Sequence, residues 1–117
     1  MRQNVTNLIE RLEVFEEKAG VRLEALGAHI TYYPTDDNCN LYVQGELHPR
    51  DGTTLEHDVR VSITVYGLDG TILSTESTRF AAATFFGFET FSGGPSGLPS
   101  PKTWSKIRVI PRPIQRE

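Results

Sequence analysis

The side chains best suited to hold a metal ion are the three histidines. His48 and His57 flank one loop, and the carboxylates available near that loop are Asp51, Glu56 and Asp58. Two imidazoles and a carboxylate are an acceptable ligand set for zinc or a similar divalent ion. Metal sites usually contain short-spaced ligand pairs, however, and neither these residues nor His29 form one. The spacing therefore favours a surface loop, and we predict no metal site.

The single cysteine, Cys39, is the candidate nucleophile. It follows an acidic stretch, Asp36-Asp37-Asn38, and neighbouring carboxylates raise the pKa of a thiol, whereas an activated cysteine needs a lowered one. The two aspartates offer oxygen ligands for calcium, but the alternate-position pattern of an EF-hand loop and its distant glutamate are missing. We predict a solvated loop, and the absence of a cysteine pair leaves stability to an apolar core.

Motifs that signal catalysis or nucleotide binding are missing from the sequence. There is no Gly-x-Ser-x-Gly elbow, no phosphate-binding loop and no dinucleotide fingerprint. The glycine-rich segment 93–97 contains a proline and is not followed by a lysine or a predicted helix, which argues against phosphate binding. We therefore predict no catalytic residue and no cofactor, and expect a non-enzymatic protein.

Size and composition are typical of one globular domain. The chain has 117 residues, of which 38% are hydrophobic and 23% charged. It has no run of about 18 apolar residues, as a membrane span requires. Residues 1–7 lack the apolar core of a signal peptide. The sequence as given predicts a cytoplasmic protein, or an extracytoplasmic one if a leader was removed.

The net charge of −3 is unevenly distributed. The last sixteen residues contain only one acid, Glu117, against the cations Lys102, Lys106, Arg108, Arg112 and Arg116. Only Trp104 lies among them as an aromatic, so they do not form a stacking platform for single strands. We expect this basic strand either to discourage aggregation at a sheet edge or to meet an acidic surface of the same molecule, and predict neither a nucleic-acid nor a membrane partner.

Residues 58–73 carry the clearest structural pattern. Their β-branched side chains alternate with more polar ones, which indicates a strand with one dry face. The dry face consists of Val59, Val61, Ile63 and Val65. Asp69-Gly70 then predicts a tight turn into a return strand. With further strands predicted at 21–33, 40–47 and 104–110, the pattern favours a mainly β protein, an antiparallel β-sandwich over residues 21–111 with a tail at 112–117.

A helix is predicted at residues 4–19, within an N-terminal segment 1–20. Its apolar positions recur at steps of three and four, as on one face of an amphipathic helix. They are Val5, Leu8, Leu12, Phe15 and Ala19. The helix either lies against the sandwich or forms a dimer seam or docking surface. We favour self-association through Leu8, Leu12 and Phe15, because a helix that precedes a complete sandwich has no vacant core to fill.

Residues 79–91 contain five of the six phenylalanines. Phe80, Phe86 and Phe88 have one parity, and Phe85 and Phe91 the other. A strand with aromatic residues on both faces is either buried on both sides or presents a patch to a partner. The first alternative places most of these rings in the core. In the second, Phe85, Phe86, Phe88 and Phe91 contact a partner protein.

Three stretches resemble the FxLYD family of small immunoglobulin-like domains. They are Leu-Tyr-Val-Gln-Gly-Glu-Leu-His from Leu41, the hairpin from Val59 to Ile72, and residues 87–91, within an overall span of 40–110. His48 stands where the family usually has Asn, and Gly67 replaces the Asp of its Tyr-Asp pair. The resemblance implies an immunoglobulin-like sandwich that serves as an accessory or interaction module, often outside the cytoplasm, and it provides no catalytic residues.

Two functions follow from these observations as hypotheses. The first is a non-enzymatic immunoglobulin-like interaction domain, whose helix mediates self-association into a homodimer or docks to a partner protein. The alternative is a carrier of a small ligand or metal, with its site between the open end of the sandwich and the loop at 48–58. A cavity lined by the phenylalanines and Trp104 would favour the carrier.

Overall fold

The computed structural model describes residues 1–35 and 37–114. Within these residues the domain has eight strands and one helix, joined in part by 3₁₀ turns at Thr6–Leu8, Ala82–Thr84 and Pro101–Thr103. The elements are β1 (Arg2–Asn4), β2 (Ile9–Glu10), α1 (Glu13–Ala19), β3 (Val21–Tyr32), β4 (Cys39–Pro49), β5 (Asp58–Gly67), β6 (Ile72–Phe80), β7 (Glu89–Gly93) and β8 (Trp104–Ile114).

The strands form two four-stranded sheets with a common apolar core. Sheet one has the order β1-β3-β4-β7, and sheet two has the order β2-β8-β5-β6. All pairings are antiparallel except β2 with β8, which is parallel. The prediction of a mainly β sandwich with one helix is confirmed.

The central hairpin forms as predicted from β5 and β6. Val59, Val61, Ile63 and Val65 are buried in the core. In the connecting turn Gly70 has φ +86°, a conformation that glycine adopts without strain. The carboxylate of Asp69 accepts hydrogen bonds from the hydroxyl and the N–H of Thr71, at 2.7 and 3.1 Å, and these bonds lower the pKa of Asp69.

The N-terminal helix is much shorter than predicted. Only Glu13–Ala19 is helical, and residues 2–10 instead add one strand to each sheet, with a 3₁₀ turn between them. The prediction of a helix over 4–19 was wrong because apolar positions at helical spacing belong to different elements: Leu8 lies in a 3₁₀ turn and Ala19 in the helix, and both contact the same core. Val5, for example, is 3% exposed and donates its N–H to the carbonyl of Ala28 on β3.

An ion pair between the partly exposed Arg11 and the buried Glu16 attaches the helical segment to the edge of sheet one. The side chain of Glu16 accepts the N–H of Leu23 at 2.9 Å, and that of Arg11 donates to the carbonyl of Leu23 at 2.7 Å. Arg11 also donates to Glu16, and this hydrogen bond raises the pKa of Arg11. β1 pairs with β3 only at residues 29–31. The ion pair therefore satisfies backbone groups at a part of β3 that β1 does not reach.

The basic strand β8 meets one carboxylate of the same molecule, as the second of the two alternatives expected. Glu10 on β2 contacts Lys106 at 3.7 Å and Arg108 at 3.4 Å, and both cations lie over the ring of Tyr66. Arg108 donates a hydrogen bond to the hydroxyl oxygen of Tyr66, and this bond is the main cause of the raised pKa of Arg108; the charge of Glu10 adds to it.

The prediction that Pro111 ends the last strand was wrong, since β8 continues to Ile114. Pro111 and Pro113 lie opposite Val61 and Val59 of β5. β2 pairs with β8 only at Ile107 and Arg108, so an N–H on the other side of β8 is not needed at the prolines. Of the predicted tail, residues 115–117 lie outside the described residues.

Candidate functional site

The phenylalanine-rich segment separates into a buried and an exposed group. It is not one strand, because β6 ends at Phe80, a 3₁₀ turn follows, and β7 begins at Glu89. Phe80 packs edge-on against Phe85 and Phe91, with ring centroids 6.4 and 6.2 Å apart. All three rings are buried and fill one end of the core.

Two of the predicted partner-binding phenylalanines therefore fail as surface residues. Phe85 and Phe91 are core side chains, and a partner could reach them only if the sandwich opened. Phe86 and Phe88 remain on the surface, with exposures of 74% and 52%. We call these two side chains the Phe86–Phe88 patch. Trp104, which with these phenylalanines would have lined the cavity that favours a carrier, is also buried, and its indole N–H donates to the carbonyl of Pro99.

The predicted contacts of the N-terminal segment are made largely within the domain. Leu8 packs against the core, Leu12 is half-buried, and the half-buried ring of Phe15 lies under the guanidinium of Arg112 at 5.0 Å. The premise of a complete sandwich beside a spare helix does not hold, because residues 1–20 contribute strands to both sheets.

A cluster of two carboxylates and one imidazole lies beside the Phe86–Phe88 patch. The Nε2 atom of His48 is 3.0 Å from Oε2 of Glu24 and 3.0 Å from Oε1 of Glu46. The imidazole stacks on the ring of Phe88, with centroids 4.9 Å apart and an angle of 7° between the planes. Glu24, Glu46 and His48 are called the Glu–His cluster below.

Strand pairing on sheet one explains how the Glu–His cluster forms. Glu24 on β3 lies directly opposite Glu46 on β4, and His48 is two residues further on the same face. Like charges opposite each other destabilise a sheet, and Nε2 of His48 lies 3.0 Å from an oxygen of each of these two carboxylates. A β-bulge follows Glu24, and within it Ala25 has φ +55°, an unfavourable conformation for a residue other than glycine.

The loop at 48–58 does not assemble the metal set considered from the sequence. The carboxylate of Asp58 accepts hydrogen bonds from Arg79 at 2.5 Å and from the N–H of Ala82 at 2.9 Å. His57 lies by a different cleft, together with Asp51 and Glu56. Within residues 1–35 and 37–114, one group of three His, Cys, Asp or Glu side chains has all its ligand atoms within 4.8 Å of one another, and that group is the Glu–His cluster.

Sequence reasoning missed the Glu–His cluster. The Glu46-x-His48 spacing on a predicted strand was an available signal, because alternate residues share one face. Glu24 carried no such signal. Its place opposite Glu46 depends on the register of β3 with β4 and on the bulge.

The thiol of Cys39 lies at the other end of the sandwich and is buried. Burial raises the pKa of Cys39, in the direction expected but for a different reason, since desolvation rather than neighbouring carboxylates causes the shift. Asp36 lies outside the described residues, so the segment predicted as a solvated loop is not described as a whole. Next to Cys39 is a cavity of about 460 Å³ with Val5, Leu8 and Ile30 among its lining residues.

Comparisons with known proteins gave no family to which the chain belongs. No protein-family model matches it, and neither the curated proteins nor the solved structures provide a match. Among the described residues, no helix is both long enough and apolar enough to span a membrane.

Proposed function

We propose that this protein is a non-enzymatic interaction module that binds a polypeptide segment carrying apolar and basic side chains. The observation that supports this proposal is the exposure of Phe86 and Phe88, from a segment whose other phenylalanines are buried. In this proposal the segment covers the Phe86–Phe88 patch and reaches the Glu–His cluster beside it.

The apolar part of the proposed interface is large enough to anchor a segment. A phenylalanine buries about 200 Å², so covering the exposed parts of Phe86 and Phe88 removes about 250 Å² from water. At about 25 cal/mol per Å², this contributes about 6 kcal/mol before the cost of association. Two aromatic anchors of this size are typical of the small set of residues that dominate a binding interface.

The charge of the neighbouring surface favours a basic segment. Glu24 and Glu46 are partly exposed, with 47% and 33% of their side-chain surface accessible. Their carboxylates lie on the face where Phe88 contacts His48. A lysine or arginine of the partner would pair with these carboxylates, which adds specificity and increases the association rate more than it adds affinity.

The N-terminal helix is not the docking element in this proposal. Its Ala19 side chain is buried in the core, its Phe15 ring contacts Arg112 of β8, and its Glu16 carboxylate accepts the N–H of Leu23 on β3. A chain that starts at Arg22 therefore lacks parts of both sheets, and we expect it not to fold. Circular dichroism and light scattering test this expectation. If the truncated chain is a folded monomer and the full chain is a dimer, the helix mediates self-association after all.

Peptide selection on the full chain tests the proposed interface. Peptides from a random displayed library should be enriched in aromatic or aliphatic residues combined with Lys or Arg. Fluorescence anisotropy should show that binding is lost in F86S/F88S, weakened in E24Q/E46Q and unchanged in L68S/I72S. The last variant is the matched control, since Leu68 and Ile72 are also exposed apolar side chains but lie on the hairpin of sheet two.

Several outcomes would overturn the proposal. They are a selection without enrichment, peptides that bind F86S/F88S as well as the unchanged chain, and peptides without basic residues. Light scattering over a range of protein concentrations tests whether a second copy of the chain, rather than another polypeptide, covers the Phe86–Phe88 patch. A dimer of the full chain that F86S/F88S disrupts would assign the patch to a second copy instead.

A small-ligand carrier is the second candidate, and the cavity beside Cys39 supports it. Its volume of about 460 Å³ is within the range of small-molecule sites, and its lining combines apolar side chains with Asn4, Asp37 and Lys102. A thermal-shift screen of small organic acids and amines tests this candidate. A ligand whose stabilisation is lost on enlarging Leu8 to Trp would support it, and a screen without stabilising compounds would remove it.

The proposal includes membership of the FxLYD-like, immunoglobulin-like domains. What supports it is that Leu41–His48 and Val59–Ile72, which carry the resemblance, form the strand and the hairpin that it requires. Patterns of substitution among relatives test the assignment. Relatives that restore Asn at position 48 and Asp at position 67 would support it, whereas relatives without the Gly-Glu pair of β4 or the Asp69-Gly70 turn would remove it.

A further inference from the structure

We infer that the Glu–His cluster is a binding site for one divalent transition-metal ion of the zinc type. The inference is independent of the proposed polypeptide partner, because it rests on the positions of three ligand atoms. These are Oε2 of Glu24, Oε1 of Glu46 and Nε2 of His48.

The spacing of the three atoms is close to that of a zinc site. Zinc binds imidazole nitrogen and carboxylate oxygen at about 2.0–2.2 Å, so tetrahedral ligand atoms lie about 3.3–3.5 Å apart. Both nitrogen-to-oxygen distances in the cluster are 3.0 Å. All three ligand atoms lie within 4.8 Å of one another, so side-chain rotations that bring the two carboxylate oxygens to about 3.4 Å from each other would admit the ion.

A single hydrogen on the imidazole of His48 satisfies the two carboxylates less well than a divalent metal ion would. The Nε2 atom of His48 carries at most one hydrogen, and two carboxylate oxygens lie 3.0 Å from it. The contact to Glu46 has the geometry of a hydrogen bond. A divalent ion would bind both oxygens and the nitrogen lone pair together, and would neutralise the two glutamates that β3 and β4 place opposite each other.

The surroundings hold the ligands and leave the site accessible. Phe88 fixes the plane of the imidazole, whose side chain is only 20% exposed, while the Glu24 side chain is 47% exposed. The positive φ of Ala25 is a strained backbone feature directly after Glu24, of the kind that occurs at functional sites. Three protein ligands and a solvent-facing fourth position match the pattern of an open zinc site.

The donor set also indicates which ions bind. Imidazole suits zinc, copper, nickel and iron, whereas calcium and magnesium need six or more oxygen ligands. Arg22 lies opposite His48 on β3, and its positive charge opposes metal binding. We therefore expect zinc to bind, magnesium and calcium not to bind, and R22Q to bind zinc more tightly than the unchanged chain.

Isothermal titration calorimetry of the full, tag-free and metal-free chain with zinc chloride tests the inference. We expect one zinc ion per chain, and a loss of affinity of about tenfold or more in E24Q, E46Q and H48Q, since each removes one ligand. H57Q and E76Q are the matched controls and should bind as the unchanged chain does. Zinc should also shift the ring resonances of His48 in nuclear magnetic resonance spectra, but not those of His57.

The inference fails if millimolar zinc produces no binding, or if E24Q, E46Q and H48Q bind zinc as well as the unchanged chain. It fails also if the His57 resonances respond and those of His48 do not. The test requires no peptide, so its outcome is separate from that of the proposed interface. If both proposals hold, zinc should weaken the binding of basic peptides, because the metal and the basic side chain use the same two carboxylates.

Discussion

Replacing Glu16 with alanine tests whether the N-terminal segment is part of the core. Glu16 is 1% exposed, and its carboxylate accepts the N–H of Leu23 and two N–H groups of Arg11. Removing an acceptor from a buried N–H costs about 1–3 kcal/mol. The lost pair with Arg11 adds about 1 kcal/mol or less, because the Arg11 side chain is 42% exposed and screened by solvent.

The expected loss for Glu16→Ala is therefore about 3 kcal/mol, including a small contribution from lost packing of the side-chain stem. At about 4 °C per kcal/mol for a domain of this size, the melting temperature should fall by about 10 °C. Urea unfolding followed by circular dichroism, with thermal unfolding beside it, measures both quantities. Glu16→Gln keeps an oxygen that can accept the N–H of Leu23, so this substitution should lower the free energy of unfolding by only about 1 kcal/mol.

Glu17→Ala is the matched control in the same helix. The Glu17 side chain is 61% exposed and contacts Arg50 at 3.5 Å, so the substitution should change stability by less than about 0.5 kcal/mol. The reasoning is refuted if Glu16→Ala costs no more than Glu17→Ala, because the ion pair would then contribute nothing to the attachment of the helix to β3.

Three other outcomes follow from the packing. Gly94→Ala should destabilise by about 2–3 kcal/mol in urea unfolding, since its Cβ would overlap the backbone carbonyl of Leu41; a near-neutral result would contradict that contact. Phe85→Ala should cost about 3–5 kcal/mol while Phe86→Ala costs less than about 0.5, and equal costs would show that burial does not separate these rings. Cys39 should resist iodoacetamide at pH 8 in the folded chain only. Because its pKa is raised from 9.0 on folding, the unfolded chain loses this proton first, so stability should fall with pH above about 9; a Cys39→Ala variant with an identical alkaline profile would argue against this cause.

The sequence alone determined the strands whose pattern is local. In β5, alternating β-branched residues require one dry face, and Asp69-Gly70 encodes the turn with only neighbouring residues. Both features formed as predicted. The core positions of β4 followed from the same period of two, because an antiparallel strand with one buried face cannot slip by one residue without exposing it.

The N-terminal segment shows where local pattern is not enough. The steps between Val5, Leu8, Leu12 and Phe15 match a helix, yet only Phe15 is helical. Leu8 ends a 3₁₀ turn, and Val5 and Leu12 directly precede the turn and the helix. A spacing of three and four reports only which residues face the core. The edge of β3 determines which elements residues 2–19 form. Its backbone groups need hydrogen-bond partners, and β1, Thr6 and the Arg11–Glu16 pair provide them.

The candidate sites needed the tertiary structure for the same reason. The sequence identified a segment with too many phenylalanines, and only packing decided that Phe85 and Phe91 lie in the core while Phe86 and Phe88 remain exposed. Glu46 and His48 share a face by strand periodicity, but Glu24 is more than twenty residues away along the chain. Strand register and a bulge bring it to 3.0 Å from the imidazole, and register between distant strands is a property of the whole sheet.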